Sequence, residues 1–115
     1  MEKIKAYIDS MVEDGKRVKD NLEKDFTNYG VEFFLTHKAE ILFKNDKVLS
    51  FFTYIQSSID DISKEELINY FETIRKGYEK TRLTNNPMTN MVRLWDFEVY
   101  AELIKHIDIM LNRYL

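Results

Sequence analysis

The sequence predicts an all-α fold, a compact bundle of four to five helices that forms a single domain over residues 1–115. Three observations predict it. The chain has only three glycines and one proline, too few for the many tight turns of a β-sandwich or a β-barrel. Apolar residues recur at spacings of three and four, as they do on one face of a helix. Helix-capping signals mark where individual helices begin.

The first predicted helix carries one apolar stripe near the N-terminus. Its members are spaced three or four residues apart and are Ile4, Ile8, Met11, Gly15, Val18, Leu22 and Phe26. Gly15 lies on this stripe, where the missing side chain is expected to let a neighbouring helix approach closely. The helix is expected to end near Asn28-Tyr29-Gly30, because asparagine and glycine adopt the left-handed conformation that ends helices.

The middle of the chain allows two predictions. In the first, a helix begins at Val31 and runs to Phe43, Asn45 and Asp46 break it, and a third helix starts at Lys47 and ends near residues 60–62. In the alternative, one long kinked helix covers residues 31–58. A strand is less favoured, because the apolar spacing is three and four residues and not two.

Two further helix starts carry clear local signals. Ser63 and Glu66 form a capping box, in which the serine oxygen accepts an amide hydrogen three residues on. That helix is expected to fray in the polar stretch 81–86. Pro87 then suits the first position of a last helix, where its missing amide hydrogen costs nothing, and this helix is expected to run from about Met88 to Tyr114.

The last predicted helix is apolar around much of its circumference. Its apolar residues are Met91, Val92, Leu94, Trp95, Phe97, Val99, Tyr100, Leu103, Ile104, Ile107, Met110 and Leu111. Such a helix is rarely left in water. We expect it to be the central helix of the domain or to have one face covered by a second copy of the chain.

Composition and motifs argue against several classes of protein. The net charge is −3 and no segment is strongly basic, whereas proteins of duplex nucleic acid usually carry a clear positive excess. The chain has no cysteine, which excludes disulfides and thiolate zinc sites. Residues 1–5 lack the features of a signal peptide and no run is long enough to span a membrane, so a cytoplasmic protein is expected. No catalytic motif is present, and we expect no enzyme and no cofactor.

A basic stretch predicts one candidate site. Its cations are Arg75, Lys76, Lys80, Arg82 and, on the next helix, Arg93. One interpretation is a patch that binds an anion or nucleic acid. The other is that cations gather at a helix C-terminus because the helix dipole favours them there. The second interpretation is preferred, and a nucleic-acid-associated regulator remains an alternative function.

The two histidines suggest a second alternative, a metal-binding bundle. His37 precedes Glu40 by three residues, and Glu102 precedes His106 by four, so each pair shares a helix face. The Glu-x-x-His spacing of di-iron bundles is absent. Surface ion pairs are the preferred interpretation, and whether the two pairs converge stays open, so no metal ligand is assigned.

Surplus aromatic residues support the leading functional hypothesis. Adjacent aromatic pairs such as Phe33-Phe34 and Phe51-Phe52 are not expected to face the same neighbour from one helix, and exposed aromatics often anchor protein interfaces. The candidate partner-binding residues are Phe34, Phe52, Tyr54, Trp95 and Tyr100. We therefore expect a small non-enzymatic interaction module that binds or inhibits a protein, or that serves as a subunit or homo-oligomer. Small acidic helical proteins of phage, plasmid and immunity systems supply only an analogy of class.

Overall fold

Four α-helices make up the fold. The computed structural model describes residues 2–80 and 87–115. The helices are α1 (Glu2–His37), α2 (Ala39–Ser58), α3 (Lys64–Lys80) and α4 (Pro87–Arg113). These residues contain no strand, so the all-α prediction is confirmed. None of the described helices has the length and apolar character that crossing a membrane requires.

Helix α1 is bent at Gly30. The backbone of Gly30 has φ 86° and ψ 177°, which no helix accommodates, and a second helical segment follows from Val31 to His37. The regular part of α1 therefore ends where the sequence predicts. The chain then folds over, and Phe34 contacts Phe26 with ring centroids 5.4 Å apart.

The junction between α1 and α2 lies at Lys38, which has φ −125°. The Lys38 amide donates to the Phe34 carbonyl at 2.8 Å, and the Leu42 amide donates to the Lys38 carbonyl at 2.9 Å. Helical hydrogen bonding thus continues through a local distortion, as it does in many kinked helices. The alternative of one kinked helix over residues 31–58 is closer to the structure, although the kink lies at Lys38.

The predicted break at Asn45 and Asp46 is wrong, because α2 is continuous there. The side-chain amide of Asn45 donates to the carbonyl oxygen of Gly15 in α1 at 3.0 Å. This contact occupies the side chain that would otherwise compete with the local backbone and favour a turn. The asparagine therefore joins two helices.

Gly15 lies in close contact with α2, as predicted. A Cβ atom built on Gly15 would lie 2.9 Å from Cδ1 of Leu49, closer than side-chain atoms normally approach. The missing side chain lets the two helices pack closely.

The starts of α3 and α4 also match their local signals. The Glu66 amide donates to Ser63 Oγ at 3.1 Å, and the Leu67 amide donates to the Ser63 carbonyl at 3.1 Å. Pro87 is the first residue of α4. The expected frayed stretch at 81–86 lies outside the described residues.

The contacts between helices give the molecule two different ends. Phe43 meets Trp95 at 5.4 Å and Phe52 meets His106 at 5.0 Å between ring centroids, so α2 and α4 run parallel. Helices α1 and α3 run antiparallel to them. We call the end formed by residues 2–15, 51–71 and 99–115 the closed end, and the opposite end, formed by residues 18–48, 74–79 and 89–98, the open end.

The closed end holds the core, to which all four helices contribute. Its side chains with 2% exposure or less are Ile4, Ile8, Val12, Phe52, Ile55, Leu67, Phe71, Ile107 and Met110. Burying one such side chain stabilises the fold by about 1.5–3 kcal/mol.

The open end leaves apolar side chains uncovered. Phe26 and Val18, which belong to the predicted stripe of α1, are 45% and 38% exposed, because at this level α1 packs chiefly against α2. In α4, Met91, Val92, Leu94 and Phe97 are exposed. Helix α4 therefore packs against α2 and α3 and leaves part of its apolar circumference in solvent.

The bundle is less compact than the sequence predicts. The radius of gyration is 15.9 Å, whereas a compact domain of this size has about 13 Å. The accessible surface is 7742 Å², against about 6,700 Å² for a typical monomer of 13.9 kDa. The exposed apolar side chains of the open end contribute to this larger surface.

Candidate protein-binding surfaces

An aromatic groove of about 350 Å³ lies between α2, α3 and α4. Its lining combines apolar and aromatic side chains with a few polar ones: Lys47, Ser50, Phe51, Tyr70, Ile74, Asp96, Val99, Tyr100 and Leu103. Phe51, Val99 and Leu103 are buried core residues, so the floor of the aromatic groove is continuous with the core.

Tyr70 forms one wall of the aromatic groove, and Tyr54 packs against it. Tyr70 stacks on Phe51, with ring centroids 5.8 Å apart, and Tyr54 lies against Tyr70 at 5.1 Å. Burial raises the pKa of the Tyr70 phenol, so its hydroxyl stays protonated and able to donate a hydrogen bond. Tyr54 remains 57% exposed. The wall thus presents aromatic area with polar tips, which is typical of interface anchors.

Tyr100 of α4 also lines the aromatic groove, whereas Trp95 does not belong to its lining. The Tyr100 ring covers Gly77, on which a Cβ atom would lie 2.9 Å from the Tyr100 hydroxyl. Trp95 packs on Phe43, and Lys47 Nζ lies 5.6 Å from the centre of that Phe43 ring. Of the predicted partner-binding residues, Tyr100 therefore lines the aromatic groove, and Tyr54 contacts it through Tyr70.

The structure places the other two predicted partner-binding residues in buried positions. Phe52 is fully buried, and Phe34 is 8% exposed. The adjacent Phe51 and Phe52 are both buried. Phe52 contacts rings of α1 and α4, whereas Phe51 contacts rings of α3. In the pair Phe33-Phe34 it is Phe33 that is exposed.

A second apolar surface lies at the hairpin tip, by which we mean residues 26–41. Its exposed apolar side chains are Phe26, Tyr29, Val31, Phe33, Leu35 and Ile41. Tyr29, Phe33 and His37 form a row, with successive ring centroids 4.8 and 4.7 Å apart. A groove of about 390 Å³ lies beside them, lined by Leu22, Glu23, Phe26, Thr27, Phe34 and Leu42.

Sequence reasoning missed Tyr29, Val31 and Leu35 as candidate site residues. The sequence does contain a signal of exposed apolar surface there, because six of the seven residues from 29 to 35 are apolar, aromatic or glycine. Such a run covers more than one helix face, so a single neighbouring helix does not bury it.

Within the predicted basic patch, Arg75 is occupied by internal ion pairs. Arg75 Nη2 lies 2.5 Å from Asp108 Oδ1, and Arg75 Nε lies 3.7 Å from Glu72 Oε1. Lys76 is exposed, and Arg93 is half-buried in α4. Arg82 and the side chain of Lys80 lie outside the described part of the chain. The carboxylates around Arg75 reduce the positive potential that phosphate binding would need.

The two candidate metal-binding pairs do not converge. His37 stacks on Phe33 at the hairpin tip, whereas His106 contacts Phe52 at the closed end. Glu40 pairs with Lys44 at 3.2 Å. Within residues 2–80 and 87–115, no group of three or more His, Asp or Glu side chains is arranged to hold a metal ion.

His106 instead belongs to a hydrogen-bonded chain that joins α1 to α4. The Tyr7 hydroxyl lies 2.5 Å from His106 Nδ1, and His106 Nε2 lies 3.3 Å from Glu102 Oε1. With a neutral imidazole, the Tyr7 hydroxyl donates to Nδ1 and the Nε2 hydrogen is donated to Glu102. Burial lowers the pKa of His106, and the nearby Glu102 opposes this only in part. The imidazole is therefore held neutral.

This burial predicts a pH dependence of stability. Because the folded pKa of His106 lies below the ordinary value of about 6.5, the unfolded chain binds more protons as the pH falls. Above about pH 6.5, His106 is neutral in both states and is not expected to lower the free energy of unfolding. As the pH falls from there through the pKa that His106 has in the folded chain, the free energy of unfolding is expected to decrease. Urea titrations of the wild-type chain between about pH 7.5 and pH 5 measure the slope.

His106→Gln removes the titrating group, and His37→Gln is the control because His37 lies outside the core. We expect a shallower slope in His106→Gln and a wild-type slope in His37→Gln. Equal slopes in the wild type and His106→Gln would contradict the assignment.

Comparison of the chain with protein-family models, with curated proteins and with solved structures finds no match.

Proposed function

We propose that this chain is a non-enzymatic protein-interaction module whose aromatic groove binds a partner protein. The observation that carries the proposal is the position of Tyr70 and Tyr100 in the lining of one groove with an apolar floor, with the exposed Tyr54 packed against Tyr70. Binding would inhibit the partner or join it in a complex. A cytoplasmic setting and the absence of catalysis are parts of the same proposal.

The chemistry of the groove suggests what it accepts. Tyrosine and tryptophan offer large, rigid contact areas with little loss of conformational freedom, and they dominate the binding energy of many interfaces. Lys47, Ser50 and Asp96 add charges and hydrogen-bonding groups to the lining. This arrangement suits an amphipathic helix, which places its apolar face on the floor and its polar flanks against the charges.

The alternative functions receive less support. A nucleic-acid-binding patch would rely on Arg75, whose charge is offset by Asp108 and Glu72. A metal-binding bundle would need the His37 and His106 pairs to meet, which they do not.

The proposal is tested with two tyrosine substitutions of similar exposure. Tyr54 is 57% exposed beside the aromatic groove and Tyr29 is 62% exposed at the hairpin tip. Immobilised wild-type chain is used to capture proteins from a lysate of its source organism, and the captured protein is identified by mass spectrometry and purified. Its affinity for each variant is then measured through the fluorescence of Trp95, which is the chain's single tryptophan.

We expect Tyr54→Glu to raise the dissociation constant by about 30-fold or more, because a charge replaces an aromatic anchor. Tyr29→Glu is expected to change it by less than about threefold. A captured protein that binds both variants as tightly as the wild type would overturn the proposal for this groove.

A further inference from the structure

The polar side chains that line the aromatic groove are not used by the fold. Within residues 2–80 and 87–115, no hydrogen bond or ion pair is formed by the side chains of Lys47, Ser50, Tyr70, Asp96 and Tyr100. Polar groups that become covered need partners, because an unpaired buried donor or acceptor is costly. A molecule that fills the aromatic groove must therefore supply those partners.

A second cavity on the molecule differs from the aromatic groove in this respect. It measures about 480 Å³ and lies between α1, α2 and α4. Its polar lining residues are each bonded within the chain: Lys44, Asn45, Glu98 and Glu102. Lys44 forms an ion pair with Glu98 that joins α2 to α4. The fold itself thus satisfies the polar groups of the second cavity.

Asp96 is the charged group of the aromatic groove that most needs a partner. It is half-buried, whereas Lys47 is exposed. Lys47 Nζ also lies over the Phe43 ring, and its flexible side chain can keep the charge in water when the groove is covered. Covering Asp96 would remove water from a carboxylate, which is costly unless a cation is provided in its place.

The position of Asp96 relative to the groove floor is set by α4. Asp96, Val99 and Leu103 stand at positions i, i+3 and i+7, so one face of α4 carries all three into the lining. They span about 10 Å along the helix axis, or about two turns. A helix that lies along α4 with apolar side chains on Val99 and Leu103 therefore brings a residue one turn further along next to Asp96.

We infer that the partner of the aromatic groove is an amphipathic helix that presents an arginine or a lysine to Asp96, one turn from the apolar side chains that occupy the floor. This inference rests on the proposed function and adds the charge by which the groove selects its partner. The net charge of −3 acts in the same direction, because it attracts a basic segment to the chain.

Two synthetic helical peptides that differ at one residue test the inference. Both carry leucines spaced three and four residues apart for the floor, and one turn beyond them one peptide has arginine and the other glutamate. Fluorescence anisotropy of the labelled peptides measures their dissociation constants with the full chain. We expect the arginine peptide to bind the wild-type chain at least about 10-fold more tightly than the glutamate peptide, with a smaller difference at high salt.

Substitutions of Asp96 show whether this preference arises at the proposed residue. Asp96→Asn is expected to abolish the preference for arginine, and Asp96→Lys is expected to reverse it, because the partner's glutamate then meets a cation. Asp20→Asn is the control, since Asp20 is an aspartate of α1, which contributes no residue to the groove lining. It is expected to keep the wild-type preference. Circular dichroism of each variant establishes that the helices are retained.

Three results would overturn the inference: equal affinities of the wild-type chain for the two peptides, no binding of either peptide up to about 1 mM, or a preference for arginine that survives Asp96→Asn. The proposed function has a separate outcome, because it requires the captured protein to lose affinity for Tyr54→Glu. A captured protein that depends on Tyr54 but binds Asp96→Asn as tightly as the wild type would leave the proposed function standing and would refute this inference.

Discussion

Phe52→Ala is expected to lower the free energy of unfolding by about 3–5 kcal/mol, the largest effect that we expect from a single substitution here. The Phe52 side chain is fully buried, and its ring contacts the rings of Tyr7, Phe51 and His106 at centroid distances of 6.2, 5.0 and 5.0 Å. Truncation removes these contacts and leaves a cavity between α1, α2 and α4. A loss of this size is a large part of the stability of a small domain, about 5–15 kcal/mol.

Urea or guanidinium unfolding followed by circular dichroism measures the change. Tyr54→Ala is the matched control, because Tyr54 is an aromatic residue of the same helix that is 57% exposed. It is expected to cost less than about 1 kcal/mol. Similar losses for the two variants would show that the closed end is not packed as described.

Gly30→Ala is expected to lower the free energy of unfolding by about 1–3 kcal/mol. With φ 86° and ψ 177°, Gly30 occupies a backbone region that essentially only glycine adopts. A Cβ atom on Gly30 would meet nothing within 4 Å, so the cost arises from the backbone conformation and not from a clash. At an exposed helical position an alanine would instead favour the helix.

Chemical unfolding of Gly30→Ala measures this cost, with Asn28→Ala as the control in the exposed helical turn before the bend. Asn28→Ala is expected to change the stability by no more than about 0.5 kcal/mol. A stabilised Gly30→Ala would mean that α1 continues straight through residue 30, and the hairpin tip would then not exist in the form described.

The helix boundaries that sequence reasoning predicts correctly depend on local chemistry. Gly30, the Ser63 cap and Pro87 each act within one helical turn, so their effect can be read from neighbouring residues. Asn45 fails as a predicted break because its amide bonds to Gly15, thirty positions earlier. No local pattern contains that partner.

The candidate site is only partly predictable for a similar reason. The aromatic content correctly indicates that the chain has more aromatic rings than one face of each helix can bury. The sequence does not show which sides of α2 are covered. Phe52 is buried because α1 and α4 both reach it, and Phe33 is exposed because no described helix covers the hairpin tip there. Exposure is therefore decided by contacts between distant parts of the chain.

The placement of the core has a consequence for how the chain folds during synthesis. Tyr7 and His106 are separated by 99 positions yet are hydrogen-bonded, and Ile4 and Ile8 share the core with Ile107 and Met110. A nascent chain that has completed α1, α2 and α3 still lacks one wall of its core, so core side chains such as Phe52 stay partly uncovered until α4 emerges. Such long-range closure is slow compared with local helix formation, and we expect the nascent chain to be most prone to aggregation just before α4 is complete.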